Sequence, residues 1–250
     1  MMLRLGIAAV VAATSACPGD DTRSVESVLD QVERAGDTTP SMTADVVHVR
    51  VDPILDRREI RSGRLVFRRN EEGRAAAVLF DTLVIGQRRE SHLKHFVVAG
   101  RWLAEIDHER KQFIKHELVP PGEETDLFGI DGPLPLPIGQ GKEAILRKYE
   151  VTFVDLPKDG VLSKLKQESV VGLRLTPRAP DDAEHIDLFF DGSSWLPLGV
   201  HVLEDDGTTR TSRLSKLDRG VLSESDAAAV SIKTPDPKEW SIDIRPWSGE

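Results

Sequence analysis

Cysteine is almost absent from this chain: 250 residues contain one, Cys17. An intrachain disulfide is therefore impossible, and so is a zinc site built on several thiolates. Aromatic residues make up only 5%, so any cavity is expected to be walled mainly by aliphatic groups. Positive charge is not in excess either. The net charge of −9 argues against nucleic acid as a partner, because phosphate binding draws on a basic surface. The chain has no G-x-S-x-G elbow, no P-loop and no dinucleotide-binding glycine pattern. Gly139-Gln-Gly141 has no strand before it, so a phosphate cradle is not expected there. Internal repeats, low-complexity tracts and long linkers are also missing. What remains, 30% charged and 39% hydrophobic residues, suits a soluble globular protein with one large core or two small ones.

The first residues read as an address. Met1 to Arg4 is a short n-region with one Arg. Leu5 to Ala13 is an apolar h-region, far short of the ~20 residues of a membrane span. Thr14-Ser15-Ala16 offers a small-residue cleavage site, and Cys17 follows directly. Two readings stand: signal cleavage with Cys17 incidental, or a lipobox with Cys17 acylated as the new N-terminus. Both imply export, with residues 1–16 as signal peptide, 17–23 as tether and 24–250 as a single domain.

Ser24 then reads as an N-cap, and Val25, Val28, Leu29 and Val32 form a narrow aliphatic stripe at helical spacing. Gly36 closes the helix. From Ser41 strands dominate. Met42, Ala44 and Val46 alternate; Gly63 opens a strand with Leu65, Phe67 and Arg69 on one face. A turn at Glu72-Gly73 leads into Ala75 to Phe80, and His92 to Ala99 and Trp102 to Asp107 form a hairpin across Gly100. Residues 120–141 are rich in Pro and Gly, an irregular and partly apolar loop. Lys142 to Tyr149 reads as a short helix, Val151 to Val154 as a strand, and Asp155 to Ser169 as polar and exposed. Val171 to Leu217 is the most regular stretch, four consecutive antiparallel strands. In it Leu173 and Leu175, then Ile186, Leu188 and Phe190, then Leu198, Val200 and Val202 recur with a period of two. Asp191-Gly192 and Asp206-Gly207 supply turns. Val230 to Lys233 and Trp240 to Ile244 read as closing strands. Trp102 and Trp240 are expected in the core and Trp195 in a turn.

Candidate chemistry is thin. His92 and His95 lie three apart, with Glu90, His108, Glu109 and His116 nearby in sequence. On a strand that spacing puts the pair on opposite faces, so no metal site is expected. The acid pairs Glu123-Glu124 and Asp181-Asp182 fall in polar loops and read as solvated charge. A hydrolase using these acids and histidines is the enzymatic alternative, and no motif supports it.

The order of elements resembles the LolA-like family of periplasmic lipoprotein carriers. The helix SVESVLDQV, the strand GRLVFRRN and the hairpin VVAGRWLAEIDHE match its pieces in order. So do the run LRLTPRAPDDAEHIDLFFDGSSWLPLGVHVLEDDGTTRTSRL and the closing VSIKTPDPKEWSI. Together they cover about residues 24 to 244. Asn70 stands where the family usually has Pro, and the middle segment is longer.

The resemblance implies a mainly β protein with an α lid: a strongly curved, incomplete antiparallel half-barrel covered by short helices. It implies a non-catalytic carrier, without cofactor, that holds acyl chains of lipoproteins and transfers them across the periplasm to the outer membrane. Lipidated proteins or lipids would be its partners, with an inner-membrane export complex and an outer-membrane acceptor at either end; the carrier itself would be a monomer. A membrane-anchored acceptor or envelope-stress sensor on the same scaffold is the second reading. The implied cavity is lined by Leu65, Phe67, Leu79, Val97, Leu173, Leu175, Ile186, Leu188, Phe190, Leu198, Val200 and Val202. The implied lid carries Val25, Val28, Leu29 and Val32 from the helix and Leu134, Leu136 and Ile138 from the Pro-rich loop. Arg69, in phase with Leu65 and Phe67, is the implied latch that bonds lid carbonyls. The alternative is that its strand has ended and Arg69 is solvated.

Overall fold

The computed structural model describes residues 23–71, 73–120, 138, 141–165 and 169–248. Cys17, Leu134 and Leu136 lie outside that set. A helix, α1 (Val25–Asp37), precedes six strands: β1 (Ser41–Asp52), β2 (Arg57–Asn70), β3 (Gly73–Ile85), β4 (Arg88–Ala99), β5 (Trp102–Asp107) and β6 (Gln112–Glu117). Then come α2 (Lys142–Lys148), β7 (Tyr149–Phe153), a single 3-10 turn (Leu162–Lys164) and the meander β8 (Val170–Pro177), β9 (Ala183–Asp191), β10 (Pro197–Glu204) and β11 (Thr209–Asp218). The chain finishes with α3 (Glu224–Ala229) and β12 (Ser241–Arg245).

The twelve strands form one sheet in the order β12-β6-β5-β4-β3-β2-β1-β11-β10-β9-β8-β7. All neighbours are antiparallel except β12, which runs parallel to β6. The sheet does not close, and its shape is an open, curved half-barrel with helices. None of the described helices is long and apolar enough to cross a membrane.

Local chemistry explains the joints. The Ser24 hydroxyl accepts from the Ser27 N–H and caps α1. In the β9–β10 turn, Asp191 Oδ1 accepts from the N–H groups of Ser193 and Ser194. Trp195 there takes a left-handed φ of 58°, so it is the turn residue its position suggested. At the β10–β11 turn Gly207 has φ +82°, and Asp206 Oδ1 accepts from the Thr208 N–H at 2.7 Å.

Strand alternation gives the sheet two distinct faces. Residues directly opposite across a ladder share a face, so the pairings Leu173↔Leu188 and Leu188↔Val200 mark the hollow face. The outer face carries Arg174↔Asp187↔His201↔Thr211↔Val49. On the outer face a core of Val66, Ala77, Val97, Phe113 and Val230 is covered by the C-terminal segment, with Trp240 packed on it.

Three expectations are corrected. Gly63 does not open β2; the strand starts at Arg57 and passes through Gly63, where a β-bulge in β3 interrupts the register. Val230 to Lys233 is not a strand. Ser223 caps a short helix there, whose end at Val230 is buried against the outer face. Trp102 is only half-buried and carries Lys115 Nζ 4.1 Å above its ring, outside all three apolar clusters.

At Gly63 a Cβ would sit 2.0 Å from the Leu79 carbonyl oxygen and 2.7 Å from Phe80 Cα. Both atoms are backbone held by the bulge, so neither can swing aside. Gly63→Ala should therefore destabilise the protein by about 2–3 kcal/mol, measured by urea unfolding; an unchanged midpoint would refute this account of the bulge.

Candidate functional site

The hollow face is apolar over most of its area. On β8 to β10, Leu173, Leu175, Ile186, Leu188, Phe190, Val200 and Val202 are each at most 2% exposed. They are covered by Val28, Leu29 and Val32 of α1, with Ile145 of α2 and Tyr149 beside them. Val25 packs at the edge of this group. Towards the middle of the sheet a second group holds Met42, Leu65, Phe67, Ala76, Val78 and Val98, with Ala35 of α1 and Ile138 among them. Trp195 packs against both groups and joins them.

Most residues singled out from the sequence thus meet on one surface, but three do not. Leu79 and Val97 belong to the outer-face core. Alternation puts Val78 and Phe80, and likewise Phe96 and Val98, on the hollow face instead. Leu198 is half-buried in neither group, because the register of β10 against β9 slips between Pro197 and Gly199. Conversely Met42, Ala76, Val78, Val98 and Leu196 belong to the hollow face. Parity with Phe67 across the β1–β2 and β2–β3 ladders is the signal that would have found the first two.

The α1 cover joins the sheet through residues 38–40 alone on its C-terminal side. There Arg69 Nη1 donates to Asp37 Oδ1 at 2.8 Å, and the Gly36 carbonyl lies at 3.5 Å, the outer edge of hydrogen-bond reach. A cation at a helix C-terminus also meets the negative end of the helix dipole. The Arg69 and Asp37 side chains are 36% and 49% exposed, so the pair contributes at most about 1 kcal/mol. Nearer the middle of α1, Lys142 Nζ of α2 lies 2.6 Å from Asp30, and that partner raises the pKa of Lys142. The two helices are thus tied to each other, and the sheet holds them mainly through apolar contact.

The far end of the hollow face is polar, which the sequence reading did not anticipate. His48 and Arg50 continue the phase of Met42, Ala44 and Val46 along β1. Arg50 and Arg210 stand directly opposite across the β1–β11 ladder, a pairing that repels unless acids offset it. Glu204 lies 2.6 Å from Arg210, and Glu59 faces Arg50 across β2 while contacting Arg57 and Arg61. Arg61 Nη1 is 3.1 Å from His92 Nδ1, whose other nitrogen is 3.7 Å from Asp107. His48 Nδ1 contacts the Ser212 hydroxyl at 2.9 Å. Loss of solvent, with the charges of Arg210, Arg61 and Arg50 adding to it, lowers the His48 pKa to about 4. The trough therefore has an apolar floor under α1 and a charged mouth in which arginines are set among Glu59, Glu204 and Asp107.

His95 lies on the opposite face from His92. Its Nδ1 is 3.0 Å from His108 Nε2, and the His108 ring stacks edge-on to Trp240. Among the described residues no group of three His, Cys, Asp or Glu side chains is placed to hold a metal ion.

No family model matches this chain, and no curated protein matches it. Solved structures do. An uncharacterized conserved protein from Thermus thermophilus aligns over 89% of this chain and 100% of its own, at 12% identity and a TM-score of 0.49. A structure of the Pseudomonas aeruginosa MucA/MucB complex aligns over 80% of this chain and 59% of that one, at 15% identity and TM-score 0.49. A LolA superfamily protein from Nitrosomonas europaea aligns over 80% and 95%, at 12% identity and TM-score 0.35. Likeness at this level says nothing about what the chain binds. The architecture itself is an open, curved antiparallel sheet with helices against its hollow side.

The lowered pKa of His48 has a consequence for stability. Between pH 6.5 and 4 the unfolded chain binds a proton at this residue that the folded chain refuses, so stability rises with pH through that window and is complete above it. His48→Gln should remove roughly 2–3 kcal/mol of the stability difference between pH 7 and pH 4, read from urea midpoints. A remaining slope is expected from His95, whose pKa burial also lowers to about 4. An unaltered pH dependence in the variant would contradict the assignment.

Proposed function

We propose that this protein is a non-catalytic carrier that holds the acyl chains of lipidated proteins or lipids against the hollow face, beneath α1. The observation that supports it best is the construction of the cover. The apolar floor and the helix that shields it are separate elements, tied near the end of α1 by the exposed Asp37 carboxylate, which pairs with Arg69 and with Arg74, and otherwise by side-chain contact.

Magnitudes favour exchange. Burying Val28, Leu29 and Val32 stabilises the closed form by about 2 kcal/mol per side chain, roughly 6 in all. An acyl chain of about sixteen carbons gains ~0.8 kcal/mol per buried CH₂, roughly 12 in all. One chain can thus displace the stripe with a margin. An aliphatic lining is also nearly indifferent to the identity of the chain, which suits handing cargo onward. The arginine-bearing mouth provides donors for the polar or anionic end of such a molecule.

In this reading Arg69 is a latch. It holds the C-terminal end of α1 while the site is empty and lets go when an acyl chain lifts the helix. The protein works after export, carrying cargo across the periplasm towards the outer membrane, and receives and delivers it through membrane complexes. Cys17 separates a shuttle from an anchored acceptor or envelope-stress sensor: the shuttle needs a mature N-terminus free of acyl groups, the anchored forms need it acylated. The intact mass of the mature protein decides between them.

Native mass spectrometry of protein purified gently from an envelope fraction should show a bound acylated species. Arg69→Leu should retain more cargo than the parent in a transfer assay to acceptor vesicles, with release slowed several-fold. Unchanged transfer in the variant removes the latch, and the absence of any acylated species removes the carrier.

A further inference from the structure

The outer face holds a cavity of about 640 Å³, on the opposite side of the sheet from the lipid site proposed above. Its floor is the cross-strand rung Arg174, Asp187, His201, Thr211 and Val49. Its roof is the segment after β7, which the sequence reading took as polar and exposed. The Val154 N–H donates to the Gly172 carbonyl at 3.0 Å and starts this segment across the outer face. Leu162, 1% exposed, pins it by packing where Gly199 has no side chain.

The cavity is in the size range of small-molecule sites, with the expected mix of apolar wall and few polar groups. Val49, Val51, Val154, Val161 and Leu162 form the wall. The charges of the floor are already closed. Arg174 donates Nε to Asp187 Oδ1 at 2.7 Å and Nη2 to Oδ2 at 2.8 Å, and the Asp187 side chain is 7% exposed. An incoming anion therefore finds no unneutralised guanidinium in the floor, and at the exposed rim Asp155 and Asp159 outnumber Arg58. His201 is different. Its Nδ1 contacts the Thr211 hydroxyl at 2.9 Å, and its Nε2 has no partner among the described residues. Burial lowers its pKa, with the nearby charge of Asp187 opposing and those of His185 and Arg174 adding, so the ring is a neutral group. The residue is half-buried and lines the cavity, so an oxygen of a bound molecule can reach that nitrogen.

We propose that this outer-face cavity binds a neutral amphiphile, whose apolar body lies against the valine and leucine wall and one of whose hydroxyl or ester oxygens bonds His201 Nε2. A fatty acid fits worse, because its carboxylate meets the rim aspartates and a closed ion pair.

The test is an NMR titration of the full chain, with histidine rings isotopically labelled, against 1-monooleoylglycerol and separately against oleate. The His201 ring signals should move saturably with the monoglyceride and at least about tenfold more weakly with oleate. Val161→Trp, on the roof, should abolish the His201 response while leaving any response of His48 on the hollow face intact. Val51→Trp, on the wall, is the second plug should the first variant lose its fold by circular dichroism. Still His201 signals, an equal response in both plugged variants, or oleate binding as tightly as the monoglyceride would each overturn the proposal.

Discussion

The contact between one aliphatic stripe and one sheet face organises the rest of this structure. Val28, Leu29 and Val32 lie on Leu173, Leu188, Phe190 and their neighbours, and neither partner could face water alone. The floor is a run of inner-facing aliphatic side chains on a sheet that leaves both edges open. A sheet of this kind needs a cover, and the cover here is not part of the sheet. It is a thirteen-residue helix, too short to be stable without its apolar contact. Helix and floor therefore depend on each other, and anything apolar that satisfies the floor competes directly with the helix.

Polar interactions set where that competition begins. At the α1 end the ties are exposed and weak, an Arg69–Asp37 pair and a Lys142–Asp30 pair. At the other end, three arginines and His48 interrupt the apolar surface within one strand's length of Phe80, whose ring lies 6.1 Å from that of His48. The trough thus passes from an aliphatic floor to a charged end, where arginines are set among Glu59, Glu204 and Asp107. The outer face is built on a different plan. There Arg174 closes a bidentate ion pair on the buried Asp187, so that cavity offers the neutral ring nitrogen of His201 instead of an unpaired charge.

Much of this was legible in the sequence because alternation is a direct consequence of strand geometry. Leu173, Leu175, Ile186, Leu188, Phe190, Val200 and Val202 share a face as their period of two requires, and the stripe of α1 lies on them. What escaped were features set by register. Bulges at Asp81 and beside Leu198 shift phase without leaving a mark in composition. Leu79 and Val97 are apolar like their neighbours, and only the pairing of β3 with β4 tells which face each takes. His48, Arg50, Arg61 and Arg210 come from three strands, so their convergence depends on tertiary pairing that no local pattern records. Residues 155–169 looked solvated because six charged residues outnumber four aliphatic ones, yet Val161 and Leu162 were enough to dock the part around them.

The most direct test of the account is native-state amide hydrogen exchange across the whole chain. If α1 is an exchangeable cover, residues 25–37 should exchange through a local opening at a free energy several kcal/mol below that of β8 to β10, and that opening should be insensitive to low denaturant. Exchange of α1 only through global unfolding, at the same free energy as the strands beneath it, would show that the helix is a fixed part of the core and would contradict the account.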